Sequence, residues 1–172
     1  EQIMQTDGSG NLSFVDKPSA GFTAAYATMA ETNGVKFSFT ASSTYQKLGS
    51  TNLSSQGDSA GITFSSTNKR LTVAAAGVYR VTASLFADAM DGAKYHYLAA
   101  FVNGTISSLI SSSYWIHNGS NDDNGRLQFD GFLSLSADDY LELHAKTTFQ
   151  NGSSTTDGWT IADLRLSLLR VA

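Results

Sequence analysis

The feature that most constrains this chain is period-two alternation, repeated in run after run. Phe37 and Phe39 alternate with Ser38 and Thr40, and Leu71 and Val73 flank Thr72. Tyr79, Val81, Ala83 and Leu85 alternate with Arg80, Thr82, Ser84 and Phe86. Leu127, Phe129, Gly131, Leu133 and Leu135 share one face; Leu141 and Leu143 enclose Glu142; Leu164, Leu166 and Leu168 are separated by Arg165 and Ser167. Successive side chains on a strand point to opposite faces, so these runs read as half-buried antiparallel strands. Between them lie Ser50 to Ser59, Met90 to Lys94, Asn118 to Gly125 and Asn151 to Gly158. These stretches are rich in Asn, Asp, Gly and Ser, which is turn chemistry. No segment of helical period and helical length competes. Thr23 to Ala30 reads as a helical turn or an edge strand.

Many short strands with regular turns predict an all-β fold, an antiparallel sandwich or barrel. Val102-Asn103-Gly104-Thr105 is a hairpin signal, because Asn-Gly suits a type I′ turn. Ala137-Asp138-Asp139 is a second tight turn. Residues 1–20 form a separate N-terminal arm. There Asp7-Gly8-Ser9-Gly10-Asn11 is a turn cluster, Leu12 to Val15 a short strand, and Pro18 a stop. The arm has too few apolar groups for a core of its own, so its strand is expected to add to a neighbour's sheet edge. Residues 21–172 form the main domain.

Composition narrows the function. The chain has 172 residues, no Cys, and charged residues make up only 15%, Ser and Thr taking their place at 41 residues. Without Cys there are no disulfides, zinc ribbons or thiol nucleophiles. A net charge of -4, with no basic run beyond Lys69-Arg70, argues against nucleic acid as a partner. No apolar stretch reaches the ~20 residues that span a bilayer as a helix, so membrane insertion is not expected.

One spacing is more specific. Phe64 is followed after six residues by Leu71, and five residues later by Gly77-Val78-Tyr79-Arg80-Val81. This resembles the signature of the C1q/TNF-like superfamily, with Leu71 and Val81 standing where the family usually has Phe. Ala99 to Gly104 resembles the family's central hairpin, Gly131 to Leu143 its following strand pair, and Trp159 to Leu166 its last strand, with Asp163 in place of Gly. The resemblance covers about residues 21–172. It implies a ten-strand jelly roll that assembles as a homotrimer, with an interface apolar at its centre. It also reserves position 77 for Gly, through positive φ or close backbone approach. The arm has a resemblance of its own. Gln5 to Val15 is similar to a segment common in structural proteins of tailed phages. That pairing implies a virion protein: a capsid decoration (cement) protein contacting the major capsid protein, or the C-terminal module of a tail fibre contacting a host-surface glycan. A secreted C1q-like or cytokine-like ligand is the alternative class.

The sequence presents no catalytic, cofactor-binding or metal site, and an enzyme is not expected. His96, His117 and His144 are not at metal-ligand spacing, and each reads as a surface or interface side chain. Asp122-Asp123 and Asp138-Asp139 read as turn residues rather than paired catalytic carboxylates. Asp7, Ser9 and Asn11 mimic the start of a calcium loop, but Pro18 takes the place of the bidentate Glu. The sequons at Asn11, Asn52, Asn103, Asn118 and Asn151 read as chance matches in turns. Tyr95-His96-Tyr97 and Tyr114-Trp115-Ile116-His117 put large amphipathic groups beside polar loops. They fit core filling and an oligomer seam, or a surface for a partner or a sugar.

Overall fold

The computed structural model describes residues 2–6, 9, 12–16, 23–32, 34–39, 43–89, 94–115, 124–148 and 158–172. The strands are β1 (Gln2–Thr6), β2 (Leu12–Asp16), β3 (Tyr26–Glu31), β4 (Val35–Ser38), β5 (Gln46–Lys47), β6 (Ser54–Ser55) and β7 (Ile62–Ser65). They continue with β8 (Arg70–Val73), β9 (Gly77–Ala89), β10 (Lys94–Val102), β11 (Thr105–Trp115), β12 (Asn124–Leu135), β13 (Tyr140–Thr148) and β14 (Gly158–Arg170). Every pairing is antiparallel. Among the described residues the β1–β2 ribbon stands beside two sheets of six strands each, in which β5 and β6 are only two residues long, so the ten strands implied by the resemblance are met approximately.

Two sheets form the sandwich. One runs β12-β9-β14-β3-β6, with β4 also on β14; the other runs β11-β10-β13-β8-β7, with β5 also on β13. The alternating apolar positions meet between them. Leu71, Val73, Tyr79, Val81, Leu85, Leu98, Leu127, Leu141, Leu143, Leu164 and Leu166 all belong to one buried cluster. Tyr79 is fully buried and its hydroxyl donates to the Ala75 carbonyl at 2.7 Å, so the aromatic body is covered without orphaning its polar tip. Within Thr23 to Ala30 the part from Tyr26 on is strand rather than helix, because β3 pairs along β14 from Leu164↔Glu31 to Leu169↔Tyr26.

The turns follow their residues. Asn103 and Gly104 both have positive φ, 50° and 77°, as a type I′ turn between β10 and β11 demands. Asp138 (φ 68°) turns β12 into β13. There Asp139 accepts from the Ser136 amide and from the Asn103 side-chain amide, so this acidic pair is turn structure. At Gly77 the second of the two expected reasons applies. The φ is ordinary, but a Cβ would collide with the Ala172 carbonyl and the Arg170 guanidinium.

Leu12 to Val15 forms its strand, which pairs within the arm with β1 from Gln2↔Asp16 to Thr6↔Leu12. One expectation needs correction. His96 is not a surface group: it shares the even-numbered, core side of β10 with Leu98 and Ala100 and is 3% exposed. The calcium-loop mimic apart from Ser9, the Asp122-Asp123 pair, Ile116, His117, and the sequons at Asn11, Asn118 and Asn151 lie outside the described residues.

Candidate oligomer interface

Alternation that buries one face of β12-β9-β14-β3 leaves the other face open. Cross-strand register sorts its side chains into rows. Phe132 pairs with Arg80, Arg80 with Leu169, and Leu169 with Tyr26. Phe132 is 62% exposed, Leu169 45% and Tyr26 40%, with Val171 beside them at 42%. The next row is Asp130, Thr82, Ser167 and Thr28, in which the Thr28 and Ser167 hydroxyls lie 2.8 Å apart. A third row holds Gln128, Ser84 and Arg165, and a fourth Arg126, Phe86 and Asp163. Hydroxyls therefore fill the middle of the face, and hydrocarbon is gathered at one end.

The small side chains of the middle rows make the face concave. A depression of about 460 Å³ is lined by Thr82, Ser84, Gln128, Asp130, Arg165 and Ser167. A second, of about 580 Å³, lies against Arg80, Phe132, Leu169 and Val171. One bidentate ion pair joins the first two rows: Arg80 Nε donates to Asp130 Oδ1 at 3.0 Å and Nη2 to Oδ2 at 2.5 Å. That hydrogen-bonded guanidinium holds the Asp130 carboxyl below its ordinary value. In the single chain the pair is open to water, where such pairs contribute little to stability. Covered by another surface, its fixed fork geometry would carry recognition.

The opposite sheet presents a second cluster on its outer face. Glu142, expected as a polar position, is 4% exposed. Lys47, on β5, donates to its Oε1 at 2.5 Å, and His144 Nε2 lies 3.0 Å from its Oε2. Burial would raise the Glu142 carboxyl, but the Lys47 and His144 hydrogen bonds outweigh it and hold the group below its ordinary value. Lys146 rests between the rings of Tyr97 and Tyr45, 4.4 and 4.7 Å from their centroids. Among the described residues no group of three His, Cys, Asp or Glu could hold a metal. The aromatic residues singled out in the sequence sit on this sheet: Tyr95 is 48% exposed, Tyr97 half-buried, and Tyr114 and Trp115 pair with Tyr95 and Lys94. The Phe132–Tyr26 row escaped sequence reasoning. Its members lie on four separate strands, and only the register brings them together.

No protein-family model matches the sequence, and no curated protein matches it. Solved structures do. The Eiger TNF of S. frugiperda superposes with a TM-score of 0.55 at 14% identity, over 87% of this chain and 92% of that one. Murine APRIL at pH 5.0 gives 0.56 at 8% identity, over 87% of this chain and all of that one. The fold is a TNF-like jelly roll. The pH 8.5 structure of murine APRIL matches equally well, at 0.56 and 7% identity. At such identities the likeness concerns architecture, and a jelly roll hosts many functions.

Proposed function

We propose that this chain is a non-enzymatic structural protein of a tailed-phage virion, working as a homotrimer closed through the open face of β12-β9-β14-β3, with capsid decoration as its place in the particle. The observation that carries the oligomeric part is the row Phe132–Arg80–Leu169–Tyr26, three large exposed apolar groups in register on one face. Exposed apolar patches of this kind mark interaction surfaces. A face that meets a different surface of the next copy closes into a ring when the rotation closes. Three-fold closure is what the resemblance to the C1q/TNF-like superfamily implies. The virion setting is supported by Gln5 to Val15, similar to a segment of phage structural proteins. In that setting the partner is the major capsid protein. A tail-fibre module meeting a host glycan is the near variant, with Tyr95 and Tyr97 as the aromatic surface.

A second reading, a secreted cytokine-like ligand, is favoured by the fold likeness to Eiger TNF and APRIL. The experiment that separates the two is labelling of purified phage particles with an antibody raised against residues 21–172. Dense, regular labelling over the head supports the decoration reading, labelling confined to the tail supports the fibre variant, and no labelling removes the virion.

A further inference from the structure

Most sheet edges of this molecule are blunted against pairing. The edge strands β4, β5, β6 and β7 are two to four residues long, and β12 carries Arg126 and Asp130. Short edges and edge charges are the devices by which proteins avoid edge-to-edge association. β11 has neither. It runs for 11 residues, Thr105–Trp115, without a charge or a proline. Its first half is interrupted: Ile106 pairs with Phe101 and Ile110 with Ala99, so the register slips there. From Ile110 to Trp115 the pairing with β10 is unbroken, and among the described residues this stretch pairs with no other strand.

The same chain holds a strand pair with the complementary deficiency. Among the described residues β1 and β2 pair only with each other. A two-stranded ribbon is marginal in water and needs a third strand or a packing surface. β1 is uncharged over Gln2–Thr6, five residues against the six of the open edge. We infer that the N-terminal ribbon of one copy adds, through β1, to the Ile110–Trp115 edge of another copy. Strand addition gains main-chain hydrogen bonds with little demand on side chains. Topology favours another copy. β3, the first strand of the sandwich, is separated from β12 by β14 and β9, and β12 is the strand against β11, where Gly131 lies under Leu109. A ribbon preceding β3 would have to cross the open sheet face to reach its own β11. This surface is distinct from the Phe132–Tyr26 row and does not depend on it.

Because the chain has no Cys, introduced cysteines test this directly. Neighbouring strands lie ~4.8 Å apart, within the Cα separation that a disulfide spans. One set of chains carries Gln2→Cys, Met4→Cys or Thr6→Cys; a second carries Ile110→Cys or Ser112→Cys. The two sets are refolded together and oxidised. At least one combination should link one chain of each set, at least tenfold faster than either set links to itself. Absence of mixed linkage in every combination overturns the inference. So does closure within a single chain that carries both cysteines, because the ribbon then completes its own edge. Sedimentation of the same samples reads the open face separately: a trimer without mixed linkage overturns the ribbon inference alone.

Discussion

The imidazole of His144 lies flat on the ring of Phe101, centroids 3.9 Å apart and planes within 16°. Its Nε2 reaches Glu142, and its Nδ1 is buried with no partner among the described residues. Burial depresses the imidazole, against the raising effect of Glu142. The folded chain therefore binds this proton more weakly than the unfolded chain. Stability should fall as pH drops below the unfolded value of about 6.5, until the folded imidazole also titrates. The urea midpoint at pH 5.5 should lie below that at pH 7.5. His144→Phe should flatten that difference, and an unchanged difference in the variant would contradict the assignment.

Glu142 adds a second step at lower pH. Its folded value is depressed, so its contribution is present above the unfolded carboxylate value and is lost as pH falls through the folded one. Lys47→Met removes the hydrogen-bonded cation from a carboxylate that is 4% exposed, and should cost about 1–3 kcal/mol at pH 7. In the Lys47→Met/Glu142→Met double variant the loss should be smaller than the sum of the two single losses. Chemical denaturation of the three variants checks the coupling, and strict additivity would show that the pair is inert.

Two glycines make contrasting predictions. A Cβ at Gly77 meets the backbone carbonyl of Ala172, whereas one at Gly131 meets only the end of the Leu109 side chain. A side chain can rotate away and a paired backbone cannot, since the Val78 amide donates to that same Ala172 carbonyl at 2.8 Å. Gly77→Val should cost more than ~1 kcal/mol, as overpacking does, and Gly131→Ala less. Thermal midpoints in the reverse order would show that the C-terminal strand end yields more easily than Leu109 does.

The sequence made the sandwich legible where one face of a strand is buried and the other wet. Leu127, Leu135, Leu141, Leu143, Leu164 and Leu166 were all read as inward from alternation, and all are buried. β11 was not legible in this way. Its run Thr-Ile-Ser-Ser-Leu-Ile-Ser-Ser-Ser-Tyr-Trp carries no strict period, because the register slips between Phe101 and Ala99 and because an edge strand need not alternate cleanly. His96 was misread for a related reason: two tyrosines beside a polar loop mask the parity set by Leu98 and Ala100. The burial of Glu142 depends on the two residues of β5 that bring Lys47 over it, a contact about 95 positions away in the chain. The candidate interface is of the same kind. Phe132, Leu169 and Tyr26 are unremarkable in sequence and become a row only through pairing on β9 and β14.

The measurement that bears most directly on the account is the solution mass of residues 1–172 by sedimentation equilibrium at micromolar concentration. A trimer closed through the open sheet face predicts three times the 18.3 kDa chain mass. In a chain that lacks residues 1–20, so that no ribbon joins copies, Phe132→Ser combined with Leu169→Ser should return the single-chain mass while the far-ultraviolet β spectrum is kept, since both side chains are exposed in the single chain. A wild-type mass of 18.3 kDa, or a trimer that survives both substitutions unchanged, would contradict it.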